Sequence, residues 1–278
     1  MPELPEVETI RRDLTPLLVG RTITGVTVCW EGCVDRPSAL SFRQQVVGCR
    51  IEEVARRGKF LVLGLSEGMY LLVHLRMTGS LLIEESSTPW ETHARLALAL
   101  DNGQELRFVT VRKFARMYLV DDPDEVVGEL GPEPLGEVFD LEAFCGLFEN
   151  RRGMIKPLLL DQRFLAGLGN IYVDEALFRA RIHPRQAVGQ LTADDLGRLY
   201  QAIRDVLQEA IADQGTSRSD YVRPDGSEGT HQEQLSVSGK AGQPCPRCGV
   251  EIERVVVGGR GTFYCPRCQT ATVDEARH

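Results

Sequence analysis

The stretch CPRCGVEIERVVVGGRGTFYCPRC, Cys245 to Cys268, constrains this chain more than any other. Two C-x2-C pairs lie sixteen residues apart. Each pair sits on a tight turn, so the four thiolates can take the corners of a tetrahedron around one Zn2+. A site closed by Cys245, Cys248, Cys265 and Cys268 leaves no open position, so the expected metal is structural. The remaining cysteines, Cys29, Cys33, Cys49 and Cys145, are scattered, which favours metal over a disulfide framework. The residues between the pairs read as a β-hairpin with Gly258 and Gly259 near its tip. Arg260 follows, between Gly259 and Gly261, where backbone can approach a ligand closely. A guanidinium there could clamp a phosphate. A solvated turn arginine would have the same local sequence.

The rest of the chain is long enough for two or three domains, at 278 residues. No apolar run reaches membrane-span length, and the acidic N-terminus does not read as a signal peptide. The expectation is a soluble, cytoplasmic protein. Its net charge of −8 would disfavour a polyanion partner if it were evenly spread. It is not: Met117 to Asn150 holds ten acids and no Lys or Arg, which leaves 30 acids against 32 bases elsewhere. From Lys240 to Cys268 there are five bases and two acids. A local basic patch decides polyanion binding where a global charge cannot. The acidic stretch, broken by prolines and glycines, reads as a solvated connector.

Periodicity divides the chain further. Val7, Ile10, Leu14 and Leu17 recur at helical spacing within Glu6–Leu18, and Gly20 is a plausible stop. Short β-rich runs follow, separated by turn residues as in a sandwich or barrel: TITGVTV, RIEEVA, KFLVLGL, MYLLVHL, ARLALAL, ELRFVTV and ARMYLV. From about Asp140 the pattern turns helical. The clearest helix runs from Thr192 to about Asp213, with Thr192 and Asp195 as a capping box. Gly215 to Lys240 reads as a loop of the mobile kind.

Three more clusters carry possible chemistry. AGLGNIYVDEALF (Ala166–Phe178) is a Gly-rich turn running into a helix, with Asn170 as the expected N-cap; such a terminus can hold an anion or simply be capped. Upstream, Arg151, Arg152 and Lys156 are phosphate-contact candidates or a basic helix face. HLRMTGS (His74–Ser80) and VRKFARM (Val111–Met117) each end a strand-like run. Met77 and Phe114 are buried core if ordinary, and wedges between stacked bases if they lie on exposed loop tips.

The motifs MPELPEVET, RRGKF, HLRMTG, IKPLLLDQ, GLGNIYVDEALF and CPRCG…GGRGTFYCPRCQ occur in that order from Pro2 to Gln269. Together they resemble the formamidopyrimidine-DNA glycosylase family. The resemblance implies an α+β multidomain fold: an N-terminal β-sandwich with a leading helix (1–134), a helix–two-turn–helix domain with a lesion-capping loop (135–239), and a four-cysteine zinc finger (240–278). It implies a bifunctional glycosylase and AP lyase acting on 8-oxoguanine and formamidopyrimidines in damaged double-stranded DNA. One structural Zn2+ would be its metal. It would work as a bacterial, nucleoid-associated monomer with no membrane and no obligatory protein partner.

The resemblance also assigns roles. With Met1 removed, Pro2 becomes a free secondary amine able to attack C1′ and form a Schiff base. Glu3 is the implied proton donor and Glu6 supports it. Lys59 serves β-elimination and Arg260 δ-elimination. His74, His93, Arg152, Lys156 and Asn170 are implied DNA contacts. Met77, Arg112 and Phe114 fill the gap left by the flipped nucleotide, and Gln214–Thr230 matches the lesion-capping loop. Two departures stand out: Ala115 replaces the usual glycine after the wedge phenylalanine, and Thr110-Val111 stands where an Asp is common. The sibling endonuclease VIII group, for oxidised pyrimidines, usually has Gly where this chain has Leu4. A non-catalytic zinc-ribbon DNA binder would not need Pro2, Glu3, Lys59 and Arg260 together.

Overall fold

The computed structural model describes residues 1–217 and 221–270. Packing divides the chain into two compact units. One is Met1–Glu129 with Ala210–Gln232; the other is Leu130–Glu209 with the stretch from Glu233 onward. Among the described residues no helix is long and apolar enough to cross a membrane.

The first unit opens with α1 (Leu4–Leu18), then β1 (Ile23–Val28), β2 (Val34–Arg36) and α2 (Ala39–Val46). Seven strands follow: β3 (Ile51–Arg57), β4 (Phe60–Leu65), β5 (Tyr70–His74), β6 (Gly79–Glu85), β7 (Ala94–Leu100), β8 (Gln104–Thr110) and β9 (Arg116–Val120); the short helix α3 (Asp124–Val127) comes after them. The strands form a sandwich of two sheets, ordered β1-β7-β8-β6 and β2-β9-β5-β4-β3. Their inner faces and the apolar stripe of α1 share one core. Leu18, not Leu17, completes that stripe: Leu18 is buried and Leu17 exposed. The sequence runs found every long strand except β6, and missed β2 and α2.

The chain changes sheets twice in the same place. The turn 75–78 carries it from β5 to β6, and 111–115 carries it from β8 to β9. Register brings the two turns side by side, because His74 pairs with Arg116 on one flank and Gly79 with Thr110 on the other. Gly79 is obligatory there. A Cβ on it would lie 2.5 Å from the Leu75 carbonyl oxygen and 2.9 Å from the Ala115 Cβ. Ala115 is buried in the core and lies outside the left-handed region, which in this turn belongs to Lys113 (φ 58). The family's glycine is therefore not required by the backbone here.

A charge cluster ties α1 to the sheet. Glu8 Oε1 accepts from Arg11 and Arg12, each at 2.8 Å, and Glu8 Oε2 accepts from Arg11 at 3.0 Å and Arg56 on β3 at 3.2 Å. Burial alone would raise the Glu8 carboxyl. The hydrogen bonds from Arg11 and Arg12 and the charges of Arg11 and Arg56 outweigh it and bring the pKa down to about 2.

The second unit contains α4 (Leu141–Gly146), α5 (Ile155–Leu160), α6 (Asn170–Ala180), most of α7 (Ala193–Ala212), and the hairpin β10 (Glu253–Val257) and β11 (Arg260–Tyr264). The expected capping box on α7 is present: the Thr192 N–H donates to Asp195 Oδ2 at 2.9 Å and the Asp195 N–H to Thr192 Oγ1 at 3.1 Å. The N-cap of α6 is Gly169; Asn170 is the first helical residue. Its side chain instead donates to the Gly261 carbonyl at 2.9 Å.

Lys156 binds the helices to the hairpin. It is fully buried, and Nζ donates to Asp174 Oδ1 and Thr262 Oγ1, both at 2.7 Å. Asp174 Oδ2 accepts the Phe263 N–H at 3.1 Å. Burial pushes the Asp174 carboxyl up to about 6 against the pull of Lys156. This corrects the reading of Lys156 as a phosphate contact: the ammonium has no solvent-facing surface and is committed to an internal ion pair.

Two measurements check these assignments. Lys156→Met strands a buried carboxylate, and equilibrium unfolding should show a loss of roughly 3–5 kcal/mol. The folded Glu8 carboxyl titrates below its ordinary value of 4.5. Its contribution is therefore complete above that pH and disappears as pH falls through about 2. Glu8→Gln should accordingly be less stable than wild type at pH 7, with the gap in denaturation midpoint closing as the solution is acidified below pH 4.5.

Candidate DNA-repair site

Pro2 and Glu3 stand at the start of α1, which packs on β3 and β4. Glu3 and Glu6 are buried. Glu6 Oε2 accepts the Glu3 backbone N–H at 2.7 Å, and Oε1 accepts the Thr216 N–H at 2.8 Å. One carboxylate thus caps α1 and holds the root of the loop that follows α7. Gly215, at φ 86, permits that approach, since a Cβ on it would lie 3.1 Å from Glu6 Cγ.

The loop expected to be mobile is anchored at several described points. Arg223 grips Asp13 through two 2.8 Å bonds, the Ile83 N–H donates to the Pro224 carbonyl at 3.0 Å, and Tyr221 is buried in the sandwich core. Residues 218–220, within the span read as lesion-capping, lie outside the described residues.

Lys59 occupies the β3–β4 turn beside Gly58, whose φ is 56. It is buried. Arg56 donates to the Gly58 carbonyl at 3.0 Å while also bonding Glu8. The same guanidinium therefore fixes the Lys59 turn against the helix that begins at Pro2 and Glu3. Sequence reading missed Glu8 and Arg56, because charged residues at these spacings usually face water. Their partnership spans 48 residues and leaves no local signature.

His74 ends β5, opposite Phe60, with the two rings edge to face at 4.5 Å. Its Nδ1 accepts the Arg76 N–H at 2.9 Å, which leaves the neutral ring's proton on Nε2. Burial first, then the nearby charges of Arg76 and Lys59, lowers its pKa to about 3. His74 is neutral at physiological pH and can serve only as a hydrogen-bond donor or acceptor, not as a cation. His93, in the β6–β7 connection, has Nδ1 3.1 Å from Arg95.

The paired sheet-crossing turns present Met77 and Phe114 at 42% and 55% exposure. Both lie outside the core in which apolar residues ordinarily sit. Arg112 is exposed beside them, with its guanidinium 3.9 Å from Met77 Sδ and its backbone N–H on Thr78 Oγ1 at 3.2 Å. The three side chains form a small apolar and cationic prow. Val111, also 50% exposed, extends it.

In the second unit the four cysteine sulfurs lie within 4.8 Å of one another. Cys245 and Cys268 are 3.9 Å apart, and Cys248 and Cys265 are 3.5 Å apart. A tetrahedron with Zn–S bonds of about 2.3 Å has edges of roughly 3.8 Å, so the donors fit one zinc. Backbone N–H groups of Arg247 and Cys268 point at the Cys245 and Cys265 sulfurs, both at 3.4 Å. Buried Gln269 ties the knuckle to the helices through the Cys265 N–H and the Ile182 carbonyl, both at 2.9 Å. At the hairpin tip, Gly258 and Gly259 have φ 56 and 74, as a two-residue turn of right-handed twist needs. A Cβ on Gly258 would approach Pro157 to 2.8 Å. The exposed Arg260 leaves this tip. Arg152 is likewise exposed, on the segment before α5.

Comparison with known proteins agrees along the chain. Residues 1–117 match the formamidopyrimidine-DNA glycosylase N-terminal domain, 130–221 that family's H2TH domain, and 242–271 the zinc finger found in FPG and IleRS. The chain is 46% identical over 262 residues to formamidopyrimidine-DNA glycosylase of Protochlamydia amoebophila, covering 92% of this chain and 95% of that one. It is 48% identical over 258 residues to the Pelotomaculum thermopropionicum enzyme, covering 91% and 94%. A Lactococcus lactis FPG mutant, G226P, solved with Fapy-dG-containing DNA, superposes with a TM-score of 0.91 at 37% identity, covering 97% of this chain and all (100%) of that one. The Lactococcus lactis complex with abasic-site DNA gives 0.91 and 37%, covering 96% and 99%. The three matched models follow one another along the chain, and relatives at 46% and 48% identity are covered over more than nine-tenths of their length; the chain belongs to the formamidopyrimidine-DNA glycosylase family.

Proposed function

We infer that the protein is a DNA glycosylase and AP lyase that removes oxidised purines, formamidopyrimidines and 8-oxoguanine, from double-stranded DNA. The observation that carries this is the exposed prow of Met77, Arg112 and Phe114, in the same unit as the acid-capped N-terminus and the Lys59 turn. Enzymes that work on a base must take it out of the stack, and the vacancy costs a few kcal/mol unless filled. Apolar side chains held out in water suit that task, and Arg112 offers donors to the orphaned base.

The chemistry assigned to the chain begins at Pro2. While Met1 is attached, the Pro2 nitrogen is an amide and not a nucleophile. Once Met1 is removed it is a secondary amine. A terminal amine titrates about two units below a lysine ammonium, so a usable fraction is neutral near pH 7. Its lone pair forms a bond to C1′, the glycosidic pair leaves with the base, and the proton shed by the proline nitrogen neutralises the departing base anion. Glu3 supplies a proton as the sugar ring opens to an iminium. The iminium draws electrons from C2′–H, the C2′ proton passes to water, and the 3′-phosphate leaves with its bonding pair. A second elimination releases the 5′-phosphate. Lys59 is given the first elimination and Arg260 the second, each as a cation beside a phosphate. Glu6 acts through its cap on the Glu3 backbone and its hold on Thr216. His74, as a neutral donor from Nε2, and His93, Arg152 and Asn170 are assigned to the DNA backbone. The working species is taken to be a monomer, since one chain supplies every residue invoked, and to act at the bacterial nucleoid.

Borohydride reduction with an 8-oxoguanine duplex should trap a covalent complex. A chain whose N-terminal amine is blocked by an uncleaved tag should trap at least about 100-fold less, which corresponds to a loss near 3 kcal/mol in barrier terms. Equal yield from the blocked chain would remove Pro2 as the nucleophile. Binding should also weaken with salt. With Lys59, Arg152 and Arg260 on phosphates, the plot of log affinity against log salt should fall with a slope of roughly −3 or steeper; a flat plot would contradict the phosphate contacts.

A further inference from the structure

We propose that Trp30 is a positioning residue for the wedge turn 111–115, acting through Arg116; the inference rests on the wedge reading above. Trp30 lies just after β1, half-buried against the sandwich core. Its backbone is fixed on both sides. The N–H groups of Cys29 and Trp30 donate to the Arg95 carbonyl at 2.8 and 3.2 Å, and the Trp30 carbonyl accepts from Cys33 at 3.2 Å. Its ring lies close over Gly32, where a Cβ would come within 2.5 Å of the indole. Gly32 is thus required by this ring placement and not by a left-handed backbone.

The indole is a seat for two cations. Arg116 Cζ and Lys113 Nζ each lie 5.4 Å from a Trp30 ring centroid. This is within cation–π range. The Arg116 guanidinium does a second thing at the same time. Its Nη1 donates to the Lys113 carbonyl at 2.8 Å and to the Ala115 carbonyl at 2.9 Å. Those two carbonyls bracket Phe114. Lys113, between Arg112 and Phe114, is the residue with left-handed backbone, φ 58, a conformation disfavoured for a side chain with a Cβ. The turn therefore needs an external hold, and the ring, the guanidinium and the two carbonyls supply it. Arg112 and Phe114 are kept projecting before any DNA arrives, so the wedge does not have to be ordered during base extrusion.

The test compares two substrates and four variants. Trp30→Leu keeps an apolar filler and removes the aromatic face. It should lower kcat/KM on an 8-oxoguanine:cytosine duplex about tenfold, the order expected from two cation–π contacts. It should leave cleavage of a preformed abasic site in single-stranded DNA at the wild-type rate, since that substrate has no gap to fill. Trp30→Phe, which restores a π face, should recover the duplex rate to within about threefold. Arg116→Gln should reproduce the Trp30→Leu pattern, which keeps the proposal testable if the tryptophan variant folds poorly. Wild-type duplex activity in both Trp30→Leu and Arg116→Gln, or an equal loss on both substrates, would overturn the positioning role. Phe114→Ala reports on the underlying reading. If it cleaves the lesion duplex like wild type, the wedge assignment itself falls; if it loses duplex activity while Trp30→Leu does not, only the clamp falls.

Discussion

The first unit depends on one doubled constraint of backbone pairing. His74 with Arg116, and Gly79 with Thr110, close the two ends of a window through which the chain crosses between sheets. Strand register is set residue by residue, so the two crossing turns cannot slide apart without breaking ladders in both sheets. That is how apolar side chains stay on exposed tips despite the free energy favouring their burial. The cost is distributed: Gly79 gives up a side chain, Lys113 accepts an unfavourable backbone, and Ala115 fills the core beneath.

Two charge clusters in this protein are turned inward. Glu8, Arg11, Arg12 and Arg56 join a helix to a hairpin turn, and Lys156 with Asp174 joins two helices' worth of backbone to the zinc hairpin. Buried ion pairs of this sort are costly to break and seldom a net gain over apolar packing. Their value lies in direction, because each fixes a turn: the one that bears Lys59 in one case, and the hairpin end that bears Arg260 in the other. The overall charge of −8 misleads for a different reason: ten of the acids lie in one stretch, Met117 to Asn150, that holds no Lys or Arg.

What was legible in the sequence was local or periodic. The cysteine spacing fixes the metal site because both halves of each knuckle sit within four residues. The Thr192–Asp195 box fixes a helix start for the same reason. The strand runs were found where turn residues bounded them; β6 was missed because GSLLIEE follows a motif read for its chemistry, and its partner β8 is far along the chain. Long-range pairings were invisible: Glu8 with Arg56, Lys156 with Asp174, Trp30 with Arg116. Lys156 shows the resulting error, since a lysine in a basic run reads as surface until a buried carboxylate from another helix claims it. Asn170 shows a smaller one, displaced by a single position because Gly169 can cap as well.

Glu6 carries a last implication. It accepts two backbone protons with two different oxygens, one at the head of its own helix and one at the foot of a distant loop. An amide of identical shape has a single acceptor and would turn an NH2 toward one of those N–H groups. Glutamine, the usual neutral stand-in for glutamate, would therefore have to abandon either the chain's beginning or the loop's hinge. At this position the carboxylate is needed for its symmetry as well as its charge.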